Sequence, residues 1–360
     1  MEPFVIIGNG PAGIACLREL SSRDPLVISP SKTPEPSVCG GVITGEGMEY
    51  LRQNHLLQDV LDHGAKLISR IDICRQGNVI ARKEFNETSM IALKRDRFDR
   101  LLWNKIPTEP RHIEDYVRQI HFTQDCVKLS MRSGRLIETG GVIDASGHRQ
   151  IAKQKANGSP GYVGREWHGG DGNSVDTLLM IPGKGFYAGI VSDGTSKLTI
   201  SAVAVDHSLK TDEKKLWNNI YRHLPDPWKA RLPEVPPSQT KSKGGFWNEP
   251  DTDHGNARMV PIGDALGFNS PLTGEGISMA LREGQAVGQL LKARKNHHSS
   301  IFPLNKQAQR TVKEKALKPF LKNNTKRRLA HFLGSHGSWI EPPIRWIPGL
   351  GHFLLYGLIP

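Results

Sequence analysis

Residues 1–20 read MEPFVIIGNGPAGIACLREL, and this stretch decides the fold. Residues 4–7 are a short apolar strand, Gly8-Asn9-Gly10-Pro11-Ala12-Gly13 form a turn, and a helical run follows. In such a strand–turn–helix, Gly8 allows the tight turn and Gly10 lets the main chain approach a pyrophosphate. Gly13 lets the helix pack close to the sheet. Pro11 and Ala12 open the helix, where a missing proline N–H is harmless, and the free amides and positive helix end attract phosphate. A lone glycine triplet is weak, but its place between strand and helix at the start of a βαβ unit makes it specific. The expected class is α/β with a Rossmann-like dinucleotide-binding domain.

Working outward, residues 25–29 make the second strand, ending Ile28-Ser29-Pro30. An acid usually stands there to hold the adenosine ribose. Here Ser29 or Ser31 can hydrogen-bond the sugar, Glu35 can reach back, and Lys32 would suit a phosphorylated ribose, so NADP stays open. Residues 34–47 read as a loop carrying Cys39-Gly40-Gly41, and residues 48–61 as one helix. Strands are expected at 65–73, 79–85 and 91–93, with a helix at 97–106. Residues 112–120, 127–132 and 135–139 read as antiparallel strands around a Ser133-Gly134 turn. Residues 142–145 form a strand ending in Asp144-Ala145-Ser146-Gly147. Further strands are expected at 177–181, 185–191 and 197–205, then a helix at 212–223.

A second glycine-rich segment, residues 258–288, reads RMVPIGDALGFNSPLTGEGISMALREGQAVG. A strand runs into Gly263-Asp264, a Pro/Gly loop follows with Pro271 and Gly274, and a helix starts at Gly276-Ile277. Asp264 can accept a bond from a ribityl hydroxyl or merely cap a turn. The amides around residues 274–277 can face an electron-poor ring.

Taken together, residues 8–13, Cys39-Gly40-Gly41, Arg95-Asp96-Arg97-Phe98-Asp99 and residues 263–276 resemble, in order, the FAD-dependent flavoprotein superfamily of aromatic hydroxylases, tryptophan halogenases and geranylgeranyl reductases. The resemblance implies FAD as cofactor. Gly263 and Asp264 would contact its ribityl and pyrophosphate, Pro271 to Gly276 would lie by the isoalloxazine, and Arg95 would touch the cofactor. Cys39, Gly40 and Gly41 would lie near the flavin, as in the geranylgeranyl reductase branch. The halogenase Trp-x-Trp-x-Ile-Pro and the prenyl-reductase Tyr-x-Trp-x-Phe-Pro patterns are absent; residues 177–187 read TLLMIPGKGFY instead. No second GxGxxG marks an NAD(P)H domain, so reductant would be transient NAD(P)H or a partner-supplied electron source. The CGG and GDALGF patterns also resemble small flavoproteins that mature amino-acid oxidases containing cysteine tryptophylquinone.

The expectation is therefore an FAD-dependent monooxygenase acting on an electron-rich aromatic, with dioxygen as co-substrate and without strong acid–base machinery, because such chemistry needs a dry cavity more than an acid. The ring could be a tryptophan of a partner oxidase. A flavin reductase of isoprenoid double bonds and a non-catalytic maturation partner are the alternatives. Candidate substrate walls are Met180, Phe186, Tyr187, Phe246 and Trp247, each also readable as plain core. Lys184, His148 and Cys39 are the candidate catalytic contacts, and His168 a further polar one.

The expected organisation is an FAD domain in three parts (1–70, 92–155, 255–295), strands 71–91 lent to a substrate domain at 156–254, and a basic helical region at 296–360. The chain's 360 residues suffice for two packed units. Its four cysteines, Cys16, Cys39, Cys74 and Cys126, have no CxxC spacing and suit a reducing compartment. No signal peptide, spanning segment or metal-ligand cluster is visible, which fits a cytoplasmic protein. The net charge is +12, and residues 292–328 hold twelve Lys/Arg against one acid, Glu314. That stretch reads as a solvated face or a dock for an acidic partner protein. Nucleic acid is not expected, since no aromatic interleaving accompanies the charge. The apolar, Gly/Pro-rich residues 339–360 can cap the core, line a tunnel or touch a membrane peripherally.

Overall fold

The computed structural model describes residues 1–35, 37–85, 89–147, 161–237, 240–246, 256–266, 275–294, 302–312 and 314. A five-stranded parallel sheet centres on Val5–Ile7. Val142–Asp144 and Met259–Pro261 lie on one side of it, and Leu26–Ser29 and Arg111–Glu114 on the other. Side chains alternate across a strand. Ile6, Val27, Ile143 and Val260 therefore join the helices in one core. Val5, Ile7, Leu26 and Ile28 face the other way, onto an antiparallel sheet of Val117–Phe122, Val127–Met131 and Leu136–Thr139.

Two helices cover the first face. Pro11–Leu20 and Gly276–Ala293 touch through glycine: a Cβ on Gly284 would overlap the Ala12 carbonyl, and one on Gly288 would come within 2.9 Å of the Cys16 carbonyl oxygen. Such close approach brings together helices from opposite ends of the sequence.

A seven-stranded sheet forms the second layer. Its order is Thr240–Phe246, Gly161–Gly169, Leu198–Ala204, Phe186–Ser192, Thr177–Gly183, Arg70–Arg75 and Asn78–Glu84. Only the Thr177–Gly183 to Arg70–Arg75 contact is parallel. One face packs Trp167, Ile190 and Ile200 on Leu216, Trp217 and Ile220 of the Glu213–His223 helix. The other face turns toward the nucleotide half.

Several sequence expectations are corrected here. Residues 34–47 are not wholly loop: Val42–Ile43, β-branched and buried, pair with Ile91–Ala92, and a helix already starts at Gly45. Gly47 fits that helix against its neighbour, since a Cβ would meet the Ser278 Oγ at 2.6 Å. The expected helix at 48–61 is two, Gly45–Gln53 and Leu57–Asp62, broken where His55 adopts a φ of 56°. The strand read at 112–120 splits between two sheets, Arg111–Glu114 parallel and Val117–Phe122 antiparallel. Gly161–Gly169 went unread because Arg165, Glu166, His168 and glycines blur its alternation.

Of the basic stretch, residues 295–301, 313 and 315–328 lie outside the described residues, as do residues 339–360. Arg310 and Glu314 form an exposed ion pair at 2.9 Å. Among the described residues, no helix is long and apolar enough to cross a membrane, and no cluster of His, Cys, Asp and Glu could hold a metal.

Candidate functional site

A cavity of about 710 Å³ lies between the parallel sheet and the seven-stranded sheet. The first strand and turn supply Gly8, Gly10, Pro11 and Ala12; the second strand supplies Ser29. Cys39 and Gly40, Arg95 and Asp99, Gly263 and Asp264, and Gly276 and Ile277 complete the nucleotide side. The two glycine-rich segments thus meet on one groove.

The groove has the local features of an anion and dinucleotide site. Gly10 caps the Pro11–Leu20 helix without a side-chain bond, no acid stands in the first turn, and a Cβ on Gly10 would meet nothing within 4 Å. Its amide end therefore opens into the cavity, as a phosphate requires. Gly276 has the same open space at the head of the Gly276–Ala293 helix. Gly8 and Gly13 act differently. A Cβ on Gly8 (φ 98°) would overlap the Ala145 carbonyl, and one on Gly13 would overlap the Gly8 carbonyl. They permit close packing under the turn, and Gly13 does not itself line the cavity.

The Gly263-Asp264 turn is held from below. The buried Glu283 carboxylate accepts the Gly263 N–H at 2.9 Å. Asp264 faces the cavity, where its charge joins burial in raising the pKa of the Tyr162 phenol. Tyr162 belongs to the sheet layer, so Asp264 sits where the two halves meet.

Arg95 and Asp99, four apart on the Arg95–Asn104 helix, form a bidentate pair at 2.9 and 2.6 Å. Both side chains are deeply buried. Burial opposes the Arg95 charge, but the Asp99 carboxylate outweighs it and the guanidinium stays protonated. Cys39 is its next neighbour. The Cys39 N–H donates to Glu166 Oε2 at 2.8 Å, and Glu166 Oε1 meets His168 Nε2 at 2.6 Å. His168 Nδ1 lies 3.1 Å from Thr199 Oγ1. This buried polar network ties the Cys39-Gly40 loop to the sheet layer. Gly41 (φ 70°) turns away: a Cβ there would overlap the Leu93 carbonyl, so it shapes the loop without lining the cavity.

At the far end, the Ser29 hydroxyl is engaged by His112 Nε2 at 2.7 Å and donates to the Ser31 carbonyl at 2.9 Å. Burial lowers the His112 pKa below its ordinary value. Lys32 pairs with Glu109 at 2.6 Å on the surface, while Glu35 lines the cavity. Tyr116 and Arg118 also line this end.

Among the substrate-wall candidates, Tyr187 lines the cavity. Phe186 does not: neighbours on a strand face opposite ways, and Phe186 packs in the core behind the sheet. Met180 does not line the cavity: it is buried in a separate cluster with Ile73 and Met90, behind the lining residues Leu178 and Tyr187. Lys184 is exposed in the turn between two strands and does not reach the cavity. His148, Pro271, Gly274 and Trp247 lie outside the described residues, and Phe246 is described only as backbone in Thr240–Phe246. Sequence reading missed Asp99, Tyr162, Glu166, Gly189 and Ser201. Only Asp99 carried a signal, its i,i+4 spacing from Arg95.

No protein-family model matches the chain, and no curated protein matches it in sequence. Solved structures do match. PqsL from Pseudomonas aeruginosa, described as a probable FAD-dependent monooxygenase, aligns with a TM-score of 0.72 at 14% identity, over 93% of this chain and 97% of its own. A variant of Klebsiella pneumoniae HpxO complexed with FAD aligns with a TM-score of 0.70 at 13% identity, over 99% and 98%. The flavin-dependent brominase Bmp2 gives 0.70 at 17%, over 98% and 93%. The chain therefore has the fold that PqsL, HpxO and Bmp2 share.

Proposed function

We propose that the protein is an FAD-dependent monooxygenase acting on an electron-rich aromatic ring. The observation that carries this reading is the convergence of two uncapped helix starts, at Gly10 and Gly276, with Asp264 on one cavity. Gly10, Ala12 and the helix behind them would hold the pyrophosphate, and Asp264 a ribityl hydroxyl. Gly276 and Ile277 would present amides to the flavin ring, and Cys39-Gly40 would border it. Bound FAD supplies the electron chemistry toward dioxygen, with NAD(P)H or a partner as the electron source.

The chain's own residues bind, orient and exclude water. Leu178, Val191 and Val203 give the sheet side an apolar lining. Arg95 and Asp99 neutralise one another there. No proton-transfer dyad is required of the described lining.

The finer reading makes the ring the indole of a partner protein's tryptophan, oxygenated on the way to a quinone cofactor. Its support is the pairing of CGG and GDALGF patterns and the basic stretch at 292–328, suited to an acidic partner. The test begins with the visible absorbance of purified protein, before and after soaking with FAD. Protein that stays colourless sinks the cofactor assignment. Co-expression with a partner oxidase under labelled dioxygen follows. Gain of labelled oxygen on a partner tryptophan supports the finer reading; saturation of an isoprenoid double bond without oxygen gain favours a reductase instead.

A further inference from the structure

We infer that Gly189 sets the size of the substrate and that the sheet wall around it selects an uncharged, flat ring over an aromatic carboxylate. The inference rests on the cofactor reading above and deepens it.

Gly189 sits mid-strand in Phe186–Ser192, between Met180 on one neighbouring strand and Ser201 on the other. Glycine in a strand interior weakens it and normally signals a special backbone shape or a close approach. Neither backbone cause applies. The residue has no left-handed φ, and the nearest atoms to a Cβ would be Ser201 Oγ at 3.7 Å, Tyr187 Oη at 3.8 Å and Leu178 Cδ1 at 3.9 Å. A side chain fits, and it would project among residues that all line the cavity. What its absence leaves is space inside the cavity. Gly8 and Gly13 contrast with it, because their Cβ positions are filled by backbone.

The wall also has a definite chemistry. Among the described residues, the sheet layer contributes Leu178, Tyr187, Val191, Ser201 and Val203 around Gly189 and no charged side chain to the cavity. The lining charges, such as Asp264, Asp115 and Arg118, come from the nucleotide half. The cation bordering Cys39, Arg95, gives its Nε and one terminal nitrogen to Asp99, which balances its charge. Among the described residues, this wall offers a buried carboxylate no counter-ion, and an unpaired buried charge is strongly disfavoured. A neutral ring loses little, and the Tyr187 and Ser201 hydroxyls can each bond one polar atom on its edge. Burial raises the Tyr187 pKa, so the phenol keeps its proton as a donor.

The experiment uses FAD-loaded protein and reads the change in flavin absorbance on titration with indole, naphthalene or benzoate. Wild type should respond saturably to indole, and benzoate should bind at least about tenfold more weakly. Gly189→Leu should weaken indole and naphthalene by at least about tenfold while FAD affinity holds. Tyr187→Phe should weaken indole by about fivefold and spare naphthalene, which has no N–H. If Gly189→Leu fails to fold, Gly189→Ala carries the size test with an expected loss of about threefold. Equal indole binding by wild type and the Gly189 variant overturns the inference and leaves the cofactor reading intact. So does benzoate binding as tightly as indole, or a Gly189 variant that loses FAD. Wild-type protein that takes up no FAD overturns the cofactor reading and this inference with it.

Discussion

The nucleotide wall of the cavity is built on glycine turns and carries the lining charges, the sheet wall is uncharged among the described residues, and glycine means different things in each. On the nucleotide side, Gly8, Gly13 and Gly284 occupy places where any Cβ would run into a carbonyl. On the sheet side, Gly189 has room. Between them, the Glu166 bond to Cys39 joins the walls, while the Arg95–Asp99 pair stays within one helix of the nucleotide side. Glycine on one wall is thus a packing requirement and on the other a choice about what the cavity admits.

Substitutions test that contrast directly. Gly8→Ala should lose about 3 kcal/mol or more, since it adds a left-handed penalty to an overlap with Ala145. Urea unfolding of the purified variant measures it, and a loss below about 1 kcal/mol would break the contrast. Asp99→Ala should lose about 3 kcal/mol by leaving Arg95 buried and unpaired; the same assay reads it, and Asp99→Ala with Arg95→Met should recover part of the loss. Glu166→Ala should lose about 2 kcal/mol, because the Cys39 N–H loses its acceptor and His168 its buried partner. Glu166→Gln keeps an acceptor oxygen and should melt between the two.

Smaller effects sharpen the picture. Gly189→Ala should change stability by less than about 1 kcal/mol and can raise it, because the added methyl has space and stiffens the unfolded chain. A melting-point drop comparable to that of Gly8→Ala would show that both walls need their glycines for the same reason. His112 gives the smallest expected signal. Burial lowers its pKa from 6.5 in the fold, so between the folded value and 6.5 the unfolded chain binds the extra proton. Stability therefore falls as pH drops through that window and is flat above 6.5. Unfolding curves on either side of 6.5 check the slope, and His112→Gln should reduce it.

The first βαβ unit was open to sequence reading because every signal there is local. Residues 4–7, 11–20 and 25–29 carry their own periodicity and punctuation, and the structure has Val5–Ile7, Pro11–Leu20 and Leu26–Ser29. Gly161–Gly169 was closed to it. Its Tyr162, Glu166 and His168 face the cavity side for reasons that lie on other strands and on Cys39. Phe186 and Tyr187 were equivalent in the sequence, and only the pleat separated one into the core and the other into the cavity. Lys184 could be read either as a cavity contact or as a solvated turn residue, and the structure has it exposed in the turn.

By itself the sequence determined an α/β chain with two glycine-rich turns at opposite ends, because tight turns and helix starts are set by the residues that form them. The tertiary structure decided that the Pro11–Leu20 and Gly276–Ala293 helices touch through Gly284 and Gly288. It also decided which face of each strand borders the space between the layers. Those choices depend on packing between segments far apart in the chain, where each surface is shaped by its partner.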